Sequence, residues 1–129
     1  MNARDPMFIL YVHDMDRALA FYRDALALKV VQHTSGWSML RCGQSTIALH
    51  ILSKGSSEST ASHAGLSLQV DDLNVAIGAV QACGGEHVVT REPTEFVPVR
   101  MCELRDTEGN GFELRQFMGD GEDLTSKDP

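Results

Sequence analysis

Laid over itself with a shift of 58 residues, the 129-residue chain repeats its own pattern. LYVHDMDRALAFYRDALALKVV (residues 10–31) runs without a gap against LQVDDLNVAIGAVQACGGEHVV (residues 68–89). Leu10 meets Leu68, Val12 meets Val70, Asp14 meets Asp72, Ala18 meets Ala76, and Val30-Val31 meets Val88-Val89. Met15/Leu73, Asp16/Asn74 and Leu19/Ile77 are conservative matches. A repeat of this length confines the fold to two copies of one supersecondary unit.

Hydropathy gives the order of elements within that unit. Each half opens with an alternating strand, Met7 to Val12 and Gly65 to Val70. Each strand runs into an aspartate, Asp14 or Asp72, whose short carboxylate can cap a helix by accepting backbone N–H bonds. The first helix carries an i, i+3, i+4 stripe of Ala18, Leu19, Phe21, Tyr22 and Leu26. The second carries Leu73, Ala76, Ile77 and Val80, and stops at Gly84-Gly85. Three short strands follow each helix: Leu28–His33, Trp37–Cys42 and Thr46–Leu52, then His87–Arg91, Val99–Arg105 and Phe112–Phe117. The order is βαβββ twice, an α+β class with helices on one face of curved sheets. The expected organisation is a single domain: module one over about 7–52, a small polar linker at 53–62, module two over about 63–117, and a disordered tail at 118–129.

Charge and cysteine usage exclude some classes of function. A formal net charge of −7 argues against nucleic acid, which needs a basic patch to displace counterions. It suits a cationic ligand if part of it lines a cleft, and solubility alone if not. The longest apolar runs, such as Phe8–Val12, are too short to span a bilayer. Cys42, Cys83 and Cys102 are odd in number and form no CxxC pair, so they read as reduced thiols of a cytoplasmic protein. No basic n-region followed by an apolar h-region opens the sequence, which agrees with that compartment.

Two stretches carry a resemblance. DMDRALAFYRDAL (residues 14–26) after the first strand, and DTEGNGFEL (residues 106–114) near the end, resemble the vicinal-oxygen-chelate superfamily. That superfamily contains glyoxalase I, extradiol dioxygenases, and fosfomycin- and bleomycin-resistance proteins. The resemblance spans about residues 7–117. It implies two modules side by side whose mixed sheet curls into an open cup, helices outside, often completed by a second subunit as a homodimer. Metal-dependent members hold one divalent ion in the cup. Their ligand positions, carried over by the flanking motifs, fall on Met7, Ala48, Gly65 and Glu113. Only Glu113 suits a hard cation, because alanine and glycine offer no ligand and a thioether is soft. The expectation is therefore no metal or other cofactor, and a bleomycin-resistance-type protein that sequesters a cationic or aromatic molecule.

The alternative is a metal-dependent lyase, isomerase or dioxygenase with one divalent ion on a non-standard His50, His63 and Glu113 set. His50 lies two residues past Ala48 and His63 two before Gly65, each on the same strand face. A two-residue step moves a side chain about 6.6–6.8 Å along its strand, so both histidines would have to converge. His13 sits where strand becomes helix, and His33 and His87 read as surface residues.

Alternation assigns the lining of the cup. Met7, Ile9 and Tyr11 oppose Phe8, Leu10 and Val12; Gly65, Ser67 and Gln69 oppose Leu66, Leu68 and Val70. Trp37, Met39 and Arg41 share a face opposite Leu40, and Glu113 and Arg115 share one opposite Phe112 and Leu114. On Val99–Arg105 the pattern leaves open whether Arg100 or Glu103 points inward. The expected ligand contacts are Tyr11, Trp37, Met39, His50, Ser67, Gln69, Glu113 and Arg115, an apolar wall with a few polar groups. Trp37 suits stacking on a planar or cationic ligand, and equally packing in a dimer interface or loop. Tyr11 suits the lining or an ordinary strand aromatic, and Met7 and Met39 fit plain core packing.

Overall fold

A computed structural model describes residues 7–52, 63–95 and 97–119. The linker expected at 53–62 and residues 120–129 of the expected disordered tail lie outside the described residues. In chain order the elements are β1 (Met7–Val12), α1 (Met15–Ala25), β2 (Lys29–His33), β3 (Trp37–Cys42), β4 (Ser45–Ile51), β5 (His63–Gln69), α2 (Leu73–Ala82), β6 (Glu86–Arg91), β7 (Val99–Arg105) and β8 (Gly111–Phe117). This is βαβββ twice. The strands form two four-stranded mixed sheets, β1-β4-β3-β2 and β5-β8-β7-β6. In each, the first strand of the module pairs in parallel with its last, and the other pairs are antiparallel. No helix among the described residues is long and apolar enough to cross a membrane.

The two aspartates act alike, as the repeat requires. The Asp14 side chain accepts from the Arg17 backbone N–H at 3.0 Å, and Asp72 from that of Val75 at 3.1 Å. Each satisfies one of the donors that a helix start leaves unpaired. Helix α2 ends at Gly84, whose φ of +91° is the left-handed conformation open to glycine. Gly85 is required for another reason. A Cβ there would meet Val80 Cγ1 at 2.5 Å, the Arg105 carbonyl oxygen at 2.8 Å and Phe21 Cε2 at 2.9 Å.

One core joins the modules. Leu10, Val12, Phe21, Tyr22, Ile47 and Leu49 of the first pack in the same buried cluster as Leu73, Val80, Leu104, Phe112 and Leu114 of the second. Phe21 on α1 lies 6.1 Å, centroid to centroid, from Phe112 on β8 in an edge-to-face contact. Because this core takes the helix-side face of both sheets, the other faces lie outside it. On β1 the division is sharp: Leu10 and Val12 are 1% and 0% exposed, whereas Met7, Ile9 and Tyr11 are 42%, 40% and 46% exposed.

Candidate functional site

On the first sheet the open face is apolar and aromatic. The register places Tyr11, His50 and Trp37 in one row across β1, β4 and β3, and Ile9, Ala48 and Met39 in the next. Leu40 and Ser38 are buried on the opposite side of β3, so alternation fixes where Trp37 and Met39 stand. The His50 ring lies 5.4 Å from Tyr11 at 65° and 5.8 Å from Trp37 at 83°, both edge-type contacts. Met7 and Met39 are not part of the core cluster. Core packing is thereby corrected for both: each sits on the face away from the helices, and Met7 is open to solvent. Ala48 shares this face, yet its small side chain is covered between its register neighbours Ile9 and Met39.

On the second sheet the open face is charged. One row holds Ser67, Glu113, Glu103 and Val89; the next holds Gln69, Arg115, Met101 and Arg91. Pairing thus decides the ambiguous strand. Glu103 lies on the face of Glu113, while Arg100 lies opposite and binds Glu92 and Asn74. Arg115 Nη1 donates to Ser67 Oγ at 2.9 Å, and Arg91 Nη2 stands 3.8 Å from Glu103. Among the described residues, the Glu113 carboxylate, the Tyr11 hydroxyl, the His50 ring nitrogens and the Trp37 Nε1–H make no hydrogen bond or ion pair. All four side chains keep their polar atoms on the open face. Met101 and Arg91 are the neighbours that alternation alone missed, and Glu103 the one it left open. Their signal lay in strand pairing, which one sequence does not give.

The inherited metal positions do not fit a hard cation. Met7 offers a thioether and Ala48 no ligand atom. Gly65 differs in backbone as well as side chain. Its φ is +78°, and β5 slips against β8 between His63, paired with Gly111, and Ser67, paired with Glu113. A side chain there would enter open space but in a strained conformation. For the alternative set, the backbone of His63 is in β5 and its side chain lies outside the described residues. Among the described residues, no three histidine, cysteine, aspartate or glutamate side chains gather to hold an ion.

The motif before Glu113 has a structural task that the sequence reading did not separate from the site. Glu108 Oε2 accepts from the His13 backbone N–H at 2.9 Å. Its Oε1 accepts from that of Asp14 and from Arg17 Nη2, both at 3.1 Å. Asn110 Nδ2 donates to the Tyr11 carbonyl oxygen at 3.2 Å. The loop of module two therefore clasps the β1–α1 junction of module one, and its negative charge complements a helix N-terminus. It also holds Tyr11 in place from behind. His13 contacts this loop through its backbone, His33 lies 3.5 Å from Asp16, and the His87 ring meets the Thr90 hydroxyl at 2.7 Å. The three cysteines are free, and burial pushes the Cys102 thiol up.

Two βαβββ modules, each with a four-stranded sheet that turns one face away from the shared core, define a class, and comparison with known proteins agrees. Residues 6–114 match the model of the Glyoxalase/Bleomycin resistance protein/Dioxygenase superfamily, and the chain belongs to that family. No curated protein matches the sequence. Similar solved structures include a glyoxalase/bleomycin resistance protein/dioxygenase family enzyme from Burkholderia phytofirmans (17% identity, 89% of this chain and 99% of that one, TM-score 0.71). Another is a fosfomycin resistance protein from Mesorhizobium loti (20%, 97% and 97%, 0.68). A lactoylglutathione lyase from Agrobacterium tumefaciens is similar as well (18%, 90% and 95%, 0.67). At these identities the likeness establishes the fold alone.

Proposed function

We propose that the protein is a metal-independent binder of a small molecule, of bleomycin-resistance type, which sequesters an aromatic ligand bearing a positive charge. The observation that carries this reading is the composition of the open face. It sets an aromatic row, Tyr11–His50–Trp37, on one sheet, and on the other the Glu113 carboxylate, which has no partner among the described residues. Aromatic rings attract cations through their faces, and a carboxylate adds a charge-assisted contact. Ser67, Gln69, Met39 and Arg115 complete the proposed contacts. A homodimer is part of the proposal, because exposed Met7, Ile9 and Tyr11 form the kind of apolar surface that a second copy would cover.

Three measurements test it. Elemental analysis of the purified protein is expected to return no stoichiometric zinc, manganese, nickel or iron. One ion per chain, lost in His50→Ala, overturns the proposal in favour of a metal-dependent enzyme. Titration with cationic aromatic compounds is expected to change the fluorescence of Trp37, the only tryptophan. Gel filtration at the mass of a single chain would remove the dimer from the proposal.

A further inference from the structure

The wall formed by the second sheet holds both signs of charge in a fixed order. Glu113 and Glu103 stand directly opposite each other on β8 and β7. Arg91, 3.8 Å from Glu103, offsets that carboxylate, and Glu113 has no such partner among the described residues. Arg115 follows Glu113 on the same face of β8, two residues or about 6.6–6.8 Å along the strand. Its Nη1 contact with Ser67 holds the guanidinium over β5 and β8. A guanidinium has five donors, so a ligand carboxylate can be taken alongside Ser67 and the further contact that Arg115 makes.

This order discriminates among ligand head groups. A simple cation at Glu113 would lie next to the like charge of Arg115, and a simple anion at Arg115 next to that of Glu113. Like-charge juxtaposition of this kind is how sites reject partners. A head group with both charges on neighbouring atoms satisfies both residues at once. Building on the proposed function, we infer that the ligand is a zwitterion of the α-amino-acid type. Its ammonium meets Glu113, its carboxylate meets Arg115, and its ring is taken by the aromatic row of the first sheet.

Three compounds with one ring test this: L-phenylalanine, 2-phenylethylamine, and 3-phenylpropionate, titrated against the full chain and followed by Trp37 fluorescence. Phenylalanine is expected to bind about tenfold tighter than either single-charge analogue, since one charge-assisted contact is worth roughly that factor or more. Glu113→Gln should bring phenylalanine to the level of the propionate, and Arg115→Gln to the level of the amine. Equal or tighter binding of 2-phenylethylamine overturns the inference and leaves the cationic-ligand proposal standing. Tightest binding of the propionate, or no binding of all three, also overturns it. The ranking on the unmodified protein decides the matter even if a variant does not fold. The metal analysis above separately tests the parent proposal.

Discussion

The Tyr22 hydroxyl donates to Asp106 Oδ2 at 2.5 Å, joining α1 of one module to the β7–β8 loop of the other inside the shared core. Asp106 also accepts the backbone N–H groups of Glu108 and Asn110 at 2.8 Å each. Burial pushes the Asp106 carboxyl above the usual carboxylate range, while those hydrogen bonds pull it back down. The Tyr22 phenol is raised well above its ordinary value by burial and by the neighbouring carboxylate. A raised native-state pKa favours the fold below the unfolded value, and that contribution is lost as pH rises through the native value. Tyr22→Phe removes a bond that lowers the pKa of Asp106, so it raises that pKa further. The variant should lose about 1–3 kcal/mol at neutral pH, and the loss should shrink as pH falls toward the raised pKa of Asp106. Urea unfolding of both proteins at about pH 7 and about pH 5 checks this; a loss that grows on acidification contradicts it.

Glu108 makes a second prediction independent of the first. Its side chain is 2% exposed and serves two backbone donors and Arg17. Glu108→Ala strands those donors at a helix start and should cost about 2–3 kcal/mol. Arg17 is half exposed, so Arg17→Ala should cost roughly 0.5 kcal/mol or less. Equal losses in denaturant melts would show that the ion pair, rather than the capping of the β1–α1 junction, carries the clasp.

Much of this architecture was legible in the sequence because it is local or periodic. The 58-residue shift maps the cap of one helix onto that of the other, Arg17 N–H onto Asp14 and Val75 N–H onto Asp72. Alternation on β1, β3 and β8 assigned inward faces correctly because each strand has a core side rich in leucine or other apolar residues. It failed on β7, where Val99–Arg105 mixes charge and apolar residues on both sides, and only its pairing with β8 turns Glu103 inward. The clasp was hidden for another reason. Glu108 and Asp14 are 94 residues apart, and a turn rich in Asp, Glu, Gly and Asn reads locally as a solvent-facing connection. The slip at Gly65 was equally hidden, because a glycine inside an alternating run shows the missing side chain and not the positive φ.

The two glycines at contrasting sites should separate strain from collision. At Gly65 a Cβ meets nothing within 4 Å, so Gly65→Ala pays only for left-handed backbone, about 1–2 kcal/mol. At Gly85 three atoms, one of them a backbone oxygen, lie within 3 Å of the new carbon. Gly85→Ala should therefore cost more, about 3 kcal/mol, since α2 and β7 would have to part. Thermal melts of the two variants should rank them in that order. For the same reason Met7→His with Gly65→His should not restore tight zinc binding: the second imidazole would hang from a strained, displaced strand. A zinc titration showing stoichiometric uptake by the double variant would contradict this.

Glu113 and Glu103 face each other across β8 and β7, and directly opposed like charges destabilise an antiparallel pair by about 0.2–1 kcal/mol. Arg91 offsets only Glu103. Neutralising Glu113 should therefore stabilise the fold even as it removes the proposed ligand contact. Glu113→Gln is expected to raise the midpoint of urea unfolding by an amount equivalent to about 0.5 kcal/mol, and to do so less at high salt, which screens exposed charges. Glu103→Gln relieves the same repulsion but gives up its Arg91 pairing, so its net change should lie near zero. Ligand affinity should fall in the first variant and change little in the second. A Glu113→Gln protein that is less stable than the parent would mean that the carboxylate supports the sheet, and its place on the open face would then need no ligand to account for it.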